Sequence, residues 1–190
     1  PASPDLPYVL RLTRERTPLN TLIRLFLLHV AVPARDAAAA FAPLPLERVA
    51  ATGFVSAEGD AVSSRLRVLA FRGLLLACDQ VGAIDPDQVM GVATSTATLA
   101  DFAVRRPGRS ALDLGTGCGV LALAIAPCFD EVVATDVSER AAAPARFNAA
   151  WNEIPNLAAA AGDCFEPVCG QRFALIVSNP PFGISPDVRL

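Results

Sequence analysis

The stretch "SALDLGTGCGVLALAIAPCF", from Ser110 to Phe129, decides the fold class of this chain. A short apolar run of strand type precedes three glycines at alternate positions, Gly115, Gly117 and Gly119, and an apolar run of helical length follows them. Glycine lets a backbone turn tightly and come close to a ligand, and the free amides at a helix start attract polar groups. The stretch therefore predicts a strand, a ligand-binding loop and a helix.

Strand and helix patterns alternate through the rest of the chain. The predicted strands are "SALDL" (110–114), "EVVATD" (131–136), "LAAAAGD" (157–163) and "RFALIVSN" (172–179), with helices at "VLALAIAPCF" and "SERAAAPARFNAAWN". This alternation favours a parallel α/β sheet, which we expect in the strand order 3-2-1-4. Pro144 falls inside the second helix, so that helix is expected either to be kinked or to begin later than Ser138 suggests.

Residues 1–85 predict a separate, mostly helical domain in front of the α/β domain at 86–190. Three helical patterns, "PLNTLIRLFLLHV", "PARDAAAAFA" and "PLERVAATG", come before two extended runs in "FVSAEGDAVSSRLRVLAF" that a Glu-Gly-Asp turn joins. Helices followed by a hairpin are typical of a winged-helix-like domain. After the boundary, "TSTATLADFAVRR" predicts a helix with a Thr or Ser N-cap, closed by Pro107 and Gly108.

Composition limits the classes of protein that this chain can be. Its 190 residues are 53% hydrophobic and 18% charged, enough for a buried core, and the net charge of −3 argues against a general nucleic-acid coat. The apolar run "RLFLLHVAVPA" is too short to span a bilayer. The five cysteines and the single His29 match no zinc pattern. We therefore expect reduced thiols, no metal, no membrane association and a cytoplasmic location.

An acidic residue ends the second predicted strand. Asp136 lies twenty-one residues beyond Gly115, at the position where a carboxylate accepts hydrogen bonds from both ribose hydroxyls in doubly wound nucleotide-binding sheets. Its alternative role is that of a helix N-terminal carboxylate just before Ser138. The three glycines favour the nucleoside role.

Four motifs in order, "LDLGTGCG", "VVATD", "AGDCF" and "IVSNPPF", resemble the class I S-adenosylmethionine-dependent methyltransferases that carry an Asn-Pro-Pro-aromatic signature. That group includes the release-factor glutamine methyltransferases and the nucleobase amine methyltransferases of RNA and DNA. The resemblance covers roughly Val89 to Pro186 and implies a partial Rossmann-like sheet with S-adenosylmethionine as cofactor. A nicotinamide dinucleotide is disfavoured by the G-x-G-x-G spacing and by the Asn-Pro-Pro-Phe motif.

The resemblance also implies roles for individual residues. The methionine part of the cofactor would lie along Gly115, Thr116, Gly117 and Gly119, with Asp113 near its amino group. The ribose would be held by Asp136 with Val137, and the adenine would be flanked by Asp163 and Cys164. The segment before the sheet would cover the cofactor with Thr94 and Ser95. The acceptor would be held by Asn179, Pro180, Pro181 and Phe182, with Asn179 also touching the cofactor.

The Asn-Pro-Pro-Phe motif suits a planar nitrogen acceptor. The Asn179 oxygen and the Pro180 carbonyl can each accept one N–H bond from an amide or exocyclic amine, and Phe182 can stack on its flat face. The prolines hold the two acceptors rigid; the alternative is that they only end the strand. We favour a protein glutamine side chain of the translation apparatus as acceptor.

Two other functions stay open. One is methylation of an exocyclic amine in RNA or DNA, at adenine N6 or guanine N2. The other is a non-catalytic, winged-helix nucleic-acid-binding or sensor protein with a methyltransferase-like fold. The resemblance further implies three more strands after the fourth, whereas this chain stops at Leu190. We therefore expect either a fragment of a longer protein or one whose remainder has been lost or is disordered, and the oligomeric state stays open.

Overall fold

A computed structural model describes residues 5–80 and 89–180 of the chain. The chain divides into two compact units, Pro1–Gly91 and Val92–Leu190. The predicted domain boundary at residues 85 and 86 lies outside the described residues. Among the described residues, no helix combines the length and the apolar character needed to cross a membrane.

The first unit contains the helical domain expected from the sequence. Its helices are α1 (Leu6–Leu12), α2 (Pro18–Phe26), α3 (Ala34–Phe41) and α4 (Leu46–Ala51). Helix α2 begins at Pro18, where the Thr17 hydroxyl accepts the Asn20 amide as an N-cap. Its buried Leu25 and Phe26 form a small core with Val49 and Val62. The helical N-terminal domain is thus confirmed, although the sequence reading did not foresee α1.

The strands of the first unit differ from the prediction. A three-stranded antiparallel sheet has the order β1 (Val32–Pro33), β3 (Ala61–Ser63), β2 (Ser56–Glu58), and a separate hairpin pairs β4 (Leu66–Phe71) with β5 (Leu74–Asp79). The predicted Glu-Gly-Asp turn does join β2 to β3.

The second predicted extended run is wrong, because it is broken at Ser64 into strands of two different sheets. The Ser64 hydroxyl donates to the Phe54 carbonyl at 2.8 Å and accepts the Leu66 amide at 3.0 Å, which bends the chain locally. Strand β5 was not foreseen. Its two-residue turn is Arg72-Gly73, both in the left-handed region, which matches the twist of a tight hairpin.

The second unit is the predicted parallel α/β sheet. Its elements are α5 (Thr94–Phe102), β6 (Gly108–Leu114), α6 (Val120–Ile125), β7 (Phe129–Asp136), α7 (Glu139–Trp151), β8 (Leu157–Ala161) and β9 (Leu175–Ser178). The strand order β8-β7-β6-β9 confirms the expected order 3-2-1-4. Apolar side chains of the two central strands, such as Leu112 and Val132, are completely buried, as strands covered on both faces require.

Two helix starts in this unit correct the sequence reading. Helix α5 has Ala93 as its N-cap, without a side-chain hydrogen bond, and ends at Phe102, before Pro107. Helix α7 begins directly after Ser138, whose hydroxyl accepts the Arg140 amide. The expected later start is therefore wrong, and Pro144 lies inside the helix.

Candidate active site

The carboxyl ends of the three strands β6, β7 and β9 bring the predicted motifs to one edge of the sheet. Leu114 is in register with Thr135 on one side and with Ser178 on the other. The Ser178 hydroxyl also donates to the Leu114 carbonyl at 2.8 Å, which holds the two strand ends together. As a result, the glycine loop (residues 115–119), Asp136 and Asn179 leave the sheet side by side.

The glycine loop is held by hydrogen bonds from neighbouring elements. The Gly115 and Thr116 amides both donate to the Thr135 carbonyl, at 2.8 and 2.9 Å. From α7, the Asn148 side-chain amide donates to the Cys118 carbonyl at 2.8 Å, and Asn148 is completely buried. The loop conformation is therefore determined by β7 and α7 as well as by its own glycines.

The glycines of this loop meet different surroundings. Gly115, Gly117 and Gly119 all have positive φ angles, which side chains other than hydrogen disfavour. A Cβ added at Gly119 would lie 3.2 Å from the backbone of Ala145, so this glycine allows α7 to approach. A Cβ added at Gly115 would meet no atom of residues 5–80 and 89–180 within 4 Å. Gly115 therefore faces open space, where a ligand can approach the backbone.

Asp113 lies beneath the loop and is only 1% exposed. Its Oδ2 accepts the Thr116 hydroxyl at 2.7 Å and the Ala122 amide of α6 at 3.0 Å. Its Oδ1 is buried and has no hydrogen-bond partner within residues 5–80 and 89–180. Burial raises the pKa of Asp113 from 3.8 to about 6, although the bonds from Thr116 and Ala122 favour the charged form.

Asp136 touches both the loop and the start of α7. Its Oδ2 accepts the Gly117 amide at 2.9 Å, and its Oδ1 accepts the Ser138 amide at a long 3.4 Å. Asp136 therefore makes the bond at the start of the helix that its alternative role predicts, and it also contacts the glycine loop. Val137, the next residue, is 75% exposed.

The "AGDCF" segment lies next to Asp136, because the Gly162 amide donates to the Asp136 carbonyl at 2.9 Å. Asp163 and Cys164 are exposed, and the backbone of Cys164 has a φ of 45°. A hydrogen bond and the negative charge of Asp163 raise the pKa of the Cys164 thiol. The turn is closed by local bonds between Asp163 and Glu166.

Asn179 contacts the first turn of α5. Its side-chain Nδ2 donates to the Thr96 hydroxyl at 2.8 Å and to the Ser95 hydroxyl at 3.2 Å. Thr94, the other candidate of this segment, is exposed at the first position of the helix. Pro180 is exposed, whereas Pro181 and Phe182 lie outside the described residues.

Sequence reasoning missed three residues at this edge: Thr96, Thr135 and Asn148. Of these, Asn148 alone left a signal, as a polar residue on the apolar side of an alanine-rich helix. The contribution of Thr135 comes from its carbonyl, which any residue type would supply. Thr96 is one of several hydroxyl residues in "TSTAT", and only the packing of α5 near β9 distinguishes it.

Two observations support a fit between the residues at this edge of the sheet and S-adenosylmethionine. The open space at Gly115 admits a ligand against the loop backbone. The Oδ1 of Asp113, which lacks a hydrogen-bond partner among the described residues, and the carboxylate of Asp136 supply hydrogen-bond acceptors next to that loop. An ammonium group and a ribose diol are donors that such acceptors can bind.

Other features of the described residues do not coincide with this edge. A groove of about 770 Å³ is lined by residues such as Phe165, Arg172 and Ile176, and none of the predicted site residues that the structure describes borders it. Within residues 5–80 and 89–180, no three His, Cys, Asp or Glu side chains are grouped so as to hold a metal ion.

Comparison with known proteins gives matches to both units. Residues 90–189 match the family described as methyltransferase small domain, and residues 6–65 match a domain of unknown function, DUF7059. A release factor glutamine methyltransferase of Xylella fastidiosa is 43% identical over 102 residues, which are 50% of this chain and 37% of that protein. The release factor glutamine methyltransferase of Escherichia coli is 44% identical over 83 residues, or 42% of this chain and 29% of that protein.

Among solved structures, the 16S rRNA N2 G1207 methyltransferase of T. thermophilus, in complex with S-adenosylmethionine and guanosine, has a TM-score of 0.48. It is 20% identical, and the match covers 82% of this chain and 47% of that chain. The matches to the two curated relatives above span about a third of the length of those proteins.

Proposed function

The chain belongs to the methyltransferase small domain family, and from that premise we propose that it methylates a planar side-chain nitrogen, the amide of a protein glutamine. Family membership confirms the predicted enzyme class, the S-adenosylmethionine-dependent methyltransferases, and with it the predicted cofactor. The observation that carries the proposal is the position of Asn179, which follows Ser178 at the point where β9 ends in register with Leu114, the residue before the glycine loop.

In this proposal the cofactor is held by residues at three strand ends. The Gly115 loop receives the methionine part, with Asp113 accepting a hydrogen bond from the amino group. Asp136 accepts the ribose hydroxyls with the carboxylate that otherwise bonds the Gly117 amide. Asp163 and Cys164 flank the adenine from an exposed turn. When bound, S-adenosylmethionine supplies an electrophilic methyl group on a positively charged sulfur.

Asn179 and Pro180 hold and orient the acceptor nitrogen. An amide nitrogen is a weak nucleophile because its lone pair is delocalised into the carbonyl. Two fixed oxygen acceptors, the Asn179 side chain and the Pro180 carbonyl, direct its N–H bonds and favour the positive charge that develops on it. One N–H proton would then leave to water, so that the product is the neutral N-methyl amide. Such positioning raises the rate without a metal ligand or a covalent nucleophile from this chain.

The choice of a glutamine acceptor is supported by the two curated relatives, which are named release factor glutamine methyltransferases and match at 43% and 44% identity. We therefore expect the substrate to be a peptide release factor.

The test uses the protein at its full natural length, tritiated S-adenosylmethionine and a purified, unmethylated release factor. We expect label that protease releases and nuclease does not. Asn179→Ala is expected to lower kcat by about 10² to 10³, as loss of one fixed transition-state hydrogen bond does. Gln171→Ala, an exposed amide between the last two strands, is the matched control and should leave the rate unchanged.

A parallel incubation with a cell extract, separated into protein and nucleic-acid fractions, checks the acceptor class. Nuclease-sensitive label would replace glutamine by an exocyclic amine of RNA or DNA as the acceptor. Calorimetric binding of S-adenosylmethionine without label in either fraction would contradict methyl transfer altogether.

A further inference from the structure

We propose that Thr96 is a positioning residue for Asn179, whose hydroxyl fixes the asparagine amide so that its oxygen faces the methyl acceptor. The inference rests on the proposed function, because it explains how the acceptor-binding oxygen is oriented. It assigns to Thr96, in the first turn of α5, a role that the sequence did not indicate.

The geometry defines the orientation of the amide. Asn179 Nδ2 carries two hydrogens, and two hydroxyl oxygens lie within reach of it, that of Thr96 at 2.8 Å and that of Ser95 at 3.2 Å. With both donors directed at α5, the side-chain oxygen must point to the opposite side of the amide carbon. The amide therefore presents an acceptor, and not a donor, away from α5.

This orientation matters because an asparagine amide is nearly symmetric in shape. Rotation by half a turn exchanges oxygen and nitrogen at little steric cost, so packing alone selects poorly between the two states. In the rotated state the NH₂ group would face the N–H bonds of the substrate, and two donors would oppose each other. The hydroxyls of Thr96 and Ser95 can each accept from the NH₂ group or donate to the oxygen, so they hold the amide in place at α5. The substrate N–H bonds, which need an acceptor, then select the state with the oxygen outward.

Thr96 is better placed than Ser95 to hold the amide of Asn179. Its hydroxyl is the nearer of the two, and the residue is only 9% exposed, whereas Ser95 is partly exposed. A β-branched side chain in a helix has few χ1 states, so the position of its hydroxyl is restricted. Burial also strengthens the hydrogen bond, because water competes less for it.

The experiment compares Thr96→Val, Thr96→Ser and Thr98→Val in the full-length protein. Valine keeps the shape of threonine and removes the hydroxyl, and serine keeps the hydroxyl. Thr98 is an exposed residue of the same helix. Its hydroxyl donates to the Thr94 carbonyl within α5. Tritiated S-adenosylmethionine and purified release factor give kcat and KM, and calorimetry gives the cofactor dissociation constant.

We expect Thr96→Val to lower kcat by about 10- to 100-fold, which is the part of transition-state stabilisation that one oriented hydrogen bond supplies. The cofactor dissociation constant should change by less than about threefold. The kcat of Thr96→Ser should stay within about threefold of that of the parent, and the kcat of Thr98→Val should equal that of the parent. Full activity of Thr96→Val, or an equal loss in the serine variant, would overturn the proposal. If Thr96→Val does not fold, Thr96→Ala takes its place.

A second readout does not depend on methyl transfer. The side-chain NH₂ signals of Asn179 in a ¹⁵N spectrum, identified by their loss in Asn179→Asp, should exchange slowly with water in the parent and in Thr96→Ser, and faster in Thr96→Val. Fast exchange in the parent would refute the positioning role. Slow exchange without any methylation would instead retain the positioning role and reject the proposed function.

Discussion

Two loops at the same edge of the sheet are built in opposite ways. The glycine loop is bonded to buried groups of three elements: Asp113 at the end of β6, the Thr135 carbonyl of β7 and Asn148 of α7. The turn at residues 162–166 has four exposed residues, Asp163 to Glu166, and closes with bonds between Asp163 and Glu166. The first loop is thus part of the core, whereas the second is joined to β7 through the Gly162 amide and beyond that residue closes on its own exposed segment.

This difference separates folding from ligand binding. Changes beneath the glycine loop should act first on stability, since they leave buried polar groups without partners. Changes in the exposed turn should weaken cofactor binding and leave the free energy of unfolding almost unchanged. The following variants test that distinction, from the largest expected effect to the smallest.

The largest effect is expected at Asn148, which is completely buried. Asn148→Ala removes the buried side-chain donor to the Cys118 carbonyl and opens a cavity beside the loop, so the free energy of unfolding should fall by about 3 to 4 kcal/mol. Chemical denaturation measures it. Asn152→Ala, near the end of the same helix, is the control and should cost less than about 1 kcal/mol. Equal costs would show that the Asn148 bond does not stabilise the loop.

The pH dependence of stability should follow Asp113, whose pKa is raised by burial to about 6. Between about pH 4 and 6 the folded protein keeps a proton that the unfolded chain has already lost. The stability contribution of this proton is therefore present at low pH and is lost as pH rises through that window, by on the order of 3 kcal/mol. Asp113→Asn cannot ionise and should lack this change.

The measurement is a series of denaturation curves from pH 4 to 7 for the parent and Asp113→Asn. Other carboxyl groups titrate in both proteins and cancel in the difference. We expect the variant to gain stability relative to the parent as pH rises. A constant offset at every pH would contradict the raised pKa.

Two glycines of the same loop should separate stability from binding. Gly119→Ala combines a left-handed backbone with a Cβ 3.2 Å from the Ala145 backbone, and should cost about 2 to 3 kcal/mol of stability. Gly115→Ala has the backbone strain alone, about 1 kcal/mol, but places a methyl group where the cofactor would lie. Denaturation and calorimetric titration with S-adenosylmethionine give both quantities. We expect Gly115→Ala to lose the more affinity and Gly119→Ala the more stability; the reverse order would contradict the assignment of open space at Gly115.

The smallest stability effect is expected in the exposed turn. Asp163→Ala should change the free energy of unfolding by less than about 0.5 kcal/mol. Loss of one carboxylate hydrogen bond should still weaken S-adenosylmethionine binding about tenfold. Glu131→Ala, an exposed carboxylate near the other end of β7, serves as the control for charge. Unchanged affinity in Asp163→Ala would remove this turn from the site.

Much of the second unit was predictable because its signals are local. Alternating apolar strands and helices determined the element order, and the handedness rule for parallel crossovers left few strand orders to consider. The predictions fail where a single side chain, or a contact with a residue distant in the sequence, determines the local structure. Ser64 splits one extended run into β3 and β4 through a bond to the Phe54 carbonyl, and no periodicity in the run itself marks that position.

By itself, the sequence determined the chemistry available at the strand ends: three glycines, the carboxylates Asp113, Asp136 and Asp163, and the amide of Asn179. Residue types and short-range order are enough for that, because they depend on positions a few residues apart. Tertiary structure alone decided which groups hold them. Asn148 reaches Cys118 across 30 residues, and Asn179 reaches Thr96 across 83. Such contacts exist only after the sheet has brought distant segments together, so the orientation of Asn179 and the rigidity of the glycine loop are properties of the fold.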